Sequence, residues 1–333
     1  MTDEQGQRAS SVGLSVPTSV APRTWRTVVR DRRLWPAFVL WPASILLLYA
    51  VARGNYLLFH SVVETAAVCV GVLLFVTTRR LFPLTGNSFL TFLGVGFFWA
   101  AAVDFIHVLA YKGMGVFPGG GANLPTQLWI VARALEALVL VVSPVFLVRR
   151  LRWTRMFVLV GAIAGAGVFA VFAGWFPACF VDGQGLTSFK VGAEYAISAV
   201  LIGALVHLRV RGHAIDSWSR RAVSVVIVVT ILSELSFTLY TDVYGISNFI
   251  GHVFKFIAFV GLYQLVLRNM LSRPVHALTE LVPICAGCKS IRDPSGGWRP
   301  LESFFGETTG AVFSHGLCPT CLERYEEELG AAP

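Results

Sequence analysis

Eight apolar runs of about 20 residues fill most of a 333-residue chain and leave little room for anything but a membrane-embedded bundle. They cover 34–52, 56–78, 88–111, 125–149, 153–173, 190–210, 220–241 and 247–268. A helix needs about 20 apolar residues to cross the hydrocarbon core. Lipid offers no partner to an open backbone N–H or C=O, so each run is expected to be helical. Composition agrees: 55% hydrophobic and 14% charged, where soluble domains hold roughly 45–50% and 25%. An ordinary soluble enzyme is excluded. The net charge is +8, from 27 Lys and Arg against 19 Asp and Glu. It would point to nucleic acid only as a patch on a soluble face. Its placement follows membrane topology instead, so the expected partner is the bilayer, with no nucleic acid.

Basic residues set the orientation. With the N-terminus inside, the cytoplasmic segments hold Arg23, Arg26, Arg30, Arg32 and Arg33, then Arg79 and Arg80, then Arg149, Arg150, Arg152 and Arg155. Arg209, Arg211, Arg220 and Arg221 follow, and finally Arg268 and Arg273. The outer loops carry only Arg53, Lys112 and Lys190. This asymmetry obeys the positive-inside rule. The expected fold is an all-α polytopic membrane protein of eight transmembrane helices, N-in and C-in, plus a small cytoplasmic zinc-binding module. Residues 1–33 are polar, show no signal-peptide core, and are expected to form a disordered cytoplasmic tail.

An ionisable residue inside a span costs at least a few kcal/mol and by default marks a functional site. His60 and Glu64 lie four apart on the second run, on one helical face. Asp104 and His107 lie on the third run, Arg133 and Glu136 on the fourth, and Glu194 beside Tyr195 on the sixth. Glu234 lies on the seventh run with Asp242 just past it, and His252 and Lys255 lie on the eighth. At about 1.5 Å per residue, the three His fall roughly 6–8 Å below the outer surface and the other intramembrane charges roughly 6–17 Å. Independent pairs would scatter in depth, whereas a shared pocket open to the outer face collects its groups at one level. Such a set could hold a ligand, a divalent metal, a haem iron or a proton, or act as interhelical glue. Cys69 and Cys179 read as structural or incidental. The Gly-rich stretch 112–124 follows no strand and is no nucleotide loop; it reads as a lid or a re-entry turn.

Composition changes after Arg273. A linker, 269–282, leads to a module at 283–328 with Cys285 and Cys288 in one CxxC and Cys318 and Cys321 in another. Four thiolates in two such pairs suit tetrahedral zinc. In a reducing compartment they are not expected to form disulfides. A module of about 45 residues has too little core without metal. Between the pairs, Asp293–Gly297 reads as a turn and Leu301–Phe305 as a helix. His315 is an alternative ligand or a capping partner.

Four stretches, FHSVVE (59–64), DFIHVLAYKGMGVF (104–117), ANLPTQLWIVAR (122–133) and SELSFTLYTDVYGISNFIGHVFK (233–255), resemble the third family of bacterial membrane-associated sensor (MASE) domains. The resemblance spans roughly 40–270. It implies a sensory part of a histidine kinase, cyclase or similar signalling protein in the bacterial inner membrane. It places His60, Glu64, Asp104, His107, Lys112, Arg133, Glu136, Glu234, Asp242, His252 and Lys255 in family motifs. The tail, PICAGCKSIRDPSGGW with FSHGLCPTC, resembles the Cys-rich segment that closes many bacterial sensor kinases and response-regulator-type proteins. There it usually follows a PAS or receiver domain; here it follows the membrane domain almost directly.

The expected function is therefore a stand-alone, non-enzymatic membrane sensor of the two-component type. An unknown small ligand would enter the outer pocket, and the zinc module would address a cytoplasmic signalling protein. A membrane enzyme or proton-coupled carrier using the same groups is the alternative. A carrier would show polar groups through both leaflets, and an enzyme an activated nucleophile or catalytic metal.

Overall fold

The computed structural model describes residues 35–119, 121–238, 245–272, 283–293, 296–309 and 312–330. The chain divides into a large unit, Arg32–His276, and a second containing the tail from Ala277. Among the described residues the large unit holds eight α-helices: α1 (Trp35–Gly54), α2 (Tyr56–Thr85), α3 (Ser88–Ala110), α4 (Asn123–Val142), α5 (Trp153–Phe172), α6 (Ser188–Arg211), α7 (Ser217–Thr238) and α8 (Ile246–Val266). Seven of them, α2 to α8, are long and apolar enough to cross a membrane. In α1 the apolar stretch, Pro42–Gly54, is shorter than a span. The protein is thus a multi-pass, all-helical membrane protein.

Short polar residues set where helices begin. Asn55 accepts the Leu58 N–H at 3.0 Å, Asn87 the Leu90 N–H at 3.0 Å, and Thr187 the Lys190 N–H at 3.2 Å. Each satisfies a backbone donor that the first turn leaves open. Two boundaries differ from the sequence expectation. Helix α2 runs on past residue 78 to Thr85, carrying Arg79 and Arg80, and stops at Gly86, whose φ of 61° favours glycine. Arg79, on this extension, lies over the Trp153 ring, 4.1 Å from its centroid. The fourth run, expected to reach 149, leaves α geometry after Val142 and continues as a 3-10 turn, Ser143–Leu147. Pro144 has no N–H to give to the α ladder.

Six helices form a closed ring in which α2 packs on α3, α3 on α4, α4 on α6, α6 on α7, α7 on α8, and α8 back on α2. Helix α1 lies outside against α2 and α8, and α5 outside against α3 and α4. Close approach relies on small residues. A Cβ on Gly71 would stand 2.6 Å from Ala101 Cβ and 3.0 Å from the Phe97 carbonyl oxygen. Gly251 is equally tight against the Phe237 ring, at 2.4 Å, and its carbonyl accepts the Ser233 hydroxyl at 2.8 Å. The latter contact joins α7 to α8.

The loop between α5 and α6 folds into a minimal hairpin, β1 (Phe180–Val181) with β2 (Gly185–Leu186). It is stapled to α4, because Asn123 Oδ1 accepts the N–H groups of Cys179 and Phe180, and Gln127 donates to the carbonyls of Phe176 and Pro177. Cys179 is buried there, and burial pushes its thiol up to about 12. Cys69 is exposed on α2.

The tail unit begins with a knuckle around the first CxxC. Cys285 N–H donates to Ser290 O, and Lys289 N–H to Cys285 O, with Lys289 at φ 61°. A hairpin of β3 (Ile291–Arg292) and β4 (Trp298–Arg299) follows, then α9 (Leu301–Thr309) and α10 (Pro319–Gly330). Asp293 closes the hairpin, its carboxylate accepting the Gly297 N–H at 2.9 Å.

Gly71→Val should lower the thermal unfolding midpoint in detergent, at a cost of about 1–3 kcal/mol from overpacking. Gly203→Ala, where a Cβ meets nothing within 4 Å, should leave it unchanged. Equal midpoints for both variants would remove close α2–α3 packing as a source of stability.

Candidate functional site

Every ring helix delivers an ionisable side chain to the interior, and α1 and α5 deliver none of them. His60 and Glu64 come from α2, Asp104 and His107 from α3, Arg133 and Glu136 from α4, Glu194 from α6, Glu234 from α7, and His252 and Lys255 from α8. All ten are buried, none more than 4% exposed. They face one another rather than lipid, as intramembrane charges must.

The contacts form a chain across the ring. Arg133 donates to Asp104 Oδ2 and to Glu136 Oε2, both at 2.5 Å. Lys255 Nζ lies 2.9 Å from the same Asp104 oxygen and 2.5 Å from Glu64 Oε2. The other Glu64 oxygen, Oε1, meets His252 Nδ1 at 2.8 Å. His60 Nε2 and His107 Nε2 stand 3.2 Å apart, and His107 Nδ1 lies 2.7 Å from the Pro125 carbonyl. Charged hydrogen bonds this short are the strong kind.

Aromatic rings wall the network. Trp129 underlies both cations, 4.6 Å from the Arg133 guanidinium and 4.7 Å from Lys255 Nζ. His60 stacks on Tyr111, with ring centroids 3.5 Å apart.

Lys190 corrects the expectation of an outer-loop position. Helix α6 starts at Ser188 and takes it inside, where it is 1% exposed, 2.6 Å from Glu194 and bonded to the Phe237 carbonyl. The signal is present in the sequence, since Lys190 and Glu194 are four apart on one helical face. Trp129 and Tyr111 carry no such signal, because an aromatic in an apolar run looks like core. Lys112 is half-buried and lines a cavity beside the cluster, and Asp242 lies outside the described residues.

Five buried carboxylates (Glu64, Asp104, Glu136, Glu194, Glu234) thus meet three buried cations (Arg133, Lys190, Lys255). Several polar atoms in this space have no hydrogen-bond partner among the described residues: His60 Nδ1, Asp104 Oδ1, Glu136 Oε1, Glu234 Oε2 and Trp129 Nε1. Buried polar groups are normally satisfied, so this space suits water or a polar ligand. A cavity of about 30 Å³ opens beside it, lined by His107, Lys112, Trp129, Lys190, Asn248 and His252. One water centre needs roughly 10–15 Å³ of such volume, so the cavity has the scale of a few waters or an ion. Two larger clefts, of about 380 and 240 Å³, flank Ile130 and Leu138 on α4 and are lined by apolar residues only. They offer no polar anchor.

In the tail, the thiols pair within each CxxC, with Cys288 beside Cys285 and Cys318 beside Cys321. Among the described residues the four sulfurs do not meet within one ligand shell. The Ser290 hydroxyl, 3.2 Å from Cys288 Sγ, lowers that thiol to about 7, and the Cys321 N–H lowers Cys318. Depressed thiols are the form that binds metal. Ile291 is the one buried hydrophobic side chain among the described tail residues. The donor set and the near-absence of a core both fit a zinc-stabilised module. His315 is exposed and lies 3.9 Å from Glu302.

A ring of apolar helices around a buried polar centre defines a membrane-embedded helical domain. Residues 51–274 match the family of membrane-associated sensor domains, MASE3, and the chain belongs to that family. Comparisons with curated proteins and with solved structures gave no match.

Arg133→Met would leave Asp104 and Glu136 without their shared cation and is expected to cost about 3–5 kcal/mol. Adding Glu136→Gln should recover part of that loss in thermal unfolding. Strictly additive effects would show that the two side chains act independently.

Proposed function

We propose that this membrane sensory protein has eight spans with both termini in the bacterial cytoplasm. In this reading an outward-facing intramembrane pocket binds the stimulus without catalysis. The signal passes through α7 and α8 to a four-cysteine zinc module read by a cytoplasmic signalling protein. The single observation that carries the reading is the convergence, among the described residues, of eleven buried ionisable side chains from six helices. Two of these, His252 and Lys255, sit on the helix whose chain continues into the tail. The Arg distribution supports the orientation, and the 20-residue length of α1 supports the eighth span.

Signalling requires a ligand that prefers one of two helix arrangements. The α8 exit suits such movement. It passes into a π-helical turn, Leu267–Ser272, where Asn269 accepts the Ser219 hydroxyl at 3.1 Å and Arg268 stacks on Trp218 of α7 at 3.6 Å. Wide turns of this kind often mark functional sites. Polar side chains at the inner mouth can exchange partners at little cost, unlike the packed core.

Glu64→Gln weakens the tie between α2 and α8, and amide hydrogen exchange in nanodiscs should then rise in 267–272 and in the tail. Unchanged exchange in both segments would remove the coupling. For the tail, bound zinc should fall by about one per chain in Cys285→Ser, with loss of protection in β3 and β4. Wild-type zinc content in that variant would refute the module.

A further inference from the structure

We infer that the His-bearing end of the cluster is a site for a divalent transition-metal ion, with His60, Glu64 and His252 as ligands and His107 as the group that orients His60. The inference rests on the reading of the cluster as a ligand site and names the class of that ligand.

Hydrogen-bond direction fixes the tautomers. Pro125 O can only accept, so His107 carries its proton on Nδ1 and presents a lone pair at Nε2. His60 Nε2, 3.2 Å away, must then donate. That leaves the second nitrogen of His60, Nδ1, as a lone pair. This atom is fully buried and has no hydrogen-bond partner among the described residues. A buried imidazole nitrogen held as a bare lone pair costs free energy unless it meets a proton or a cation.

The chain from a backbone carbonyl through one imidazole to another is the outer-shell support that metal-binding His residues use. Ligand atoms of His60, Glu64 and His252 all lie within 4.8 Å of one another. Drawing three atoms onto an ion at about 2.0–2.2 Å takes a contraction of roughly 1 Å, within the reach of side-chain adjustment. Lys255 holds Glu64 by Oε2, and Oε1 accepts the His252 Nδ1–H at 2.8 Å, so an ion between these two atoms takes the place of that proton.

Donor type selects the ion. Two imidazoles and a carboxylate, with no thiolate or thioether, suit Zn²⁺, Cu²⁺, Ni²⁺ or Fe²⁺ over Cu(I), Ca²⁺ or Mg²⁺. Three protein ligands leave a coordination position open. The cavity of about 30 Å³ bordering His252 has room for the water that would fill it.

The test uses the full chain in detergent, stripped by chelator and then equilibrated with zinc. Wild type should hold about two zinc per chain, one in the tail and one in the membrane unit. Replacing all four tail cysteines by Ser should leave about one, with purely nitrogen and oxygen ligation in X-ray absorption. In that background His60→Gln and His252→Gln should each weaken zinc at least about 10-fold.

A folded chain without the tail cysteines that takes up neither zinc, nickel nor copper overturns the inference. So does uptake indifferent to both His substitutions. The uptake measurement on the chain without tail cysteines leaves the cluster untouched, so it decides even where a His variant fails to fold. If no ion binds yet Glu64→Gln still alters exchange at the α8 exit, the metal is removed and the sensor reading stands. If ion binds and exchange is unaltered, the metal site is supported and the sensor reading fails.

Discussion

The bundle is organised around the cost of a bare charge in a medium of low dielectric. Arg133 could not remain in the hydrocarbon without Asp104 and Glu136, nor Glu136 without it. Lys255 bonds both Asp104 and Glu64, so it merges what would be two separate ion pairs into one network. Because that network touches α2, α3, α4 and α8 at once, the helices cannot rotate independently. Hydrophobic packing alone would leave rotation weakly specified, since a lipid tail is as apolar as Leu. Charge sets the azimuth of each helix, and glycine contacts such as Gly71 on Ala101 set how closely they approach.

The apolar runs were legible almost to their ends because backbone satisfaction in lipid leaves helix as the one solution for each. Their ends slipped where local chemistry intervened: at Pro144, which breaks the α ladder, and at Arg79, whose aromatic partner, Trp153, lies on another helix. Which residues would seek the interior was also legible, since burial cost is a property of the side chain. Their partners were not. That Glu64 meets Lys255 while Arg133 takes Asp104 depends on helix rotation and order around the ring, and neither leaves a trace in periodicity. For Lys190, a small shift in where a helix starts was enough to exchange an outer loop for the interior. Trp129 gave no sign of its role because a cation-binding ring and a core ring have the same composition. In the tail, each CxxC spacing was legible as two neighbouring thiols.

The polar centre and the β1–β2 hairpin are mechanically continuous. The hairpin is tied to Asn123 and Gln127 at the start of α4, and Arg133 lies further along the same helix. Its backbone groups are satisfied by α4 side chains, so a shift of that helix carries the hairpin with it.

Glu64 and Lys255 are 191 residues apart in the chain. During synthesis the second helix therefore enters the bilayer long before the residue that balances it exists. Until α8 arrives, Glu64 has to stay protonated, lean toward an interface or borrow a transient partner from the insertion machinery. Helices one to seven alone make an electrically incomplete assembly, and the last span to be made closes both the circle and the charge balance. A chain interrupted before Lys255 would carry an uncompensated acid in its interior, a defect that membrane quality control is equipped to find.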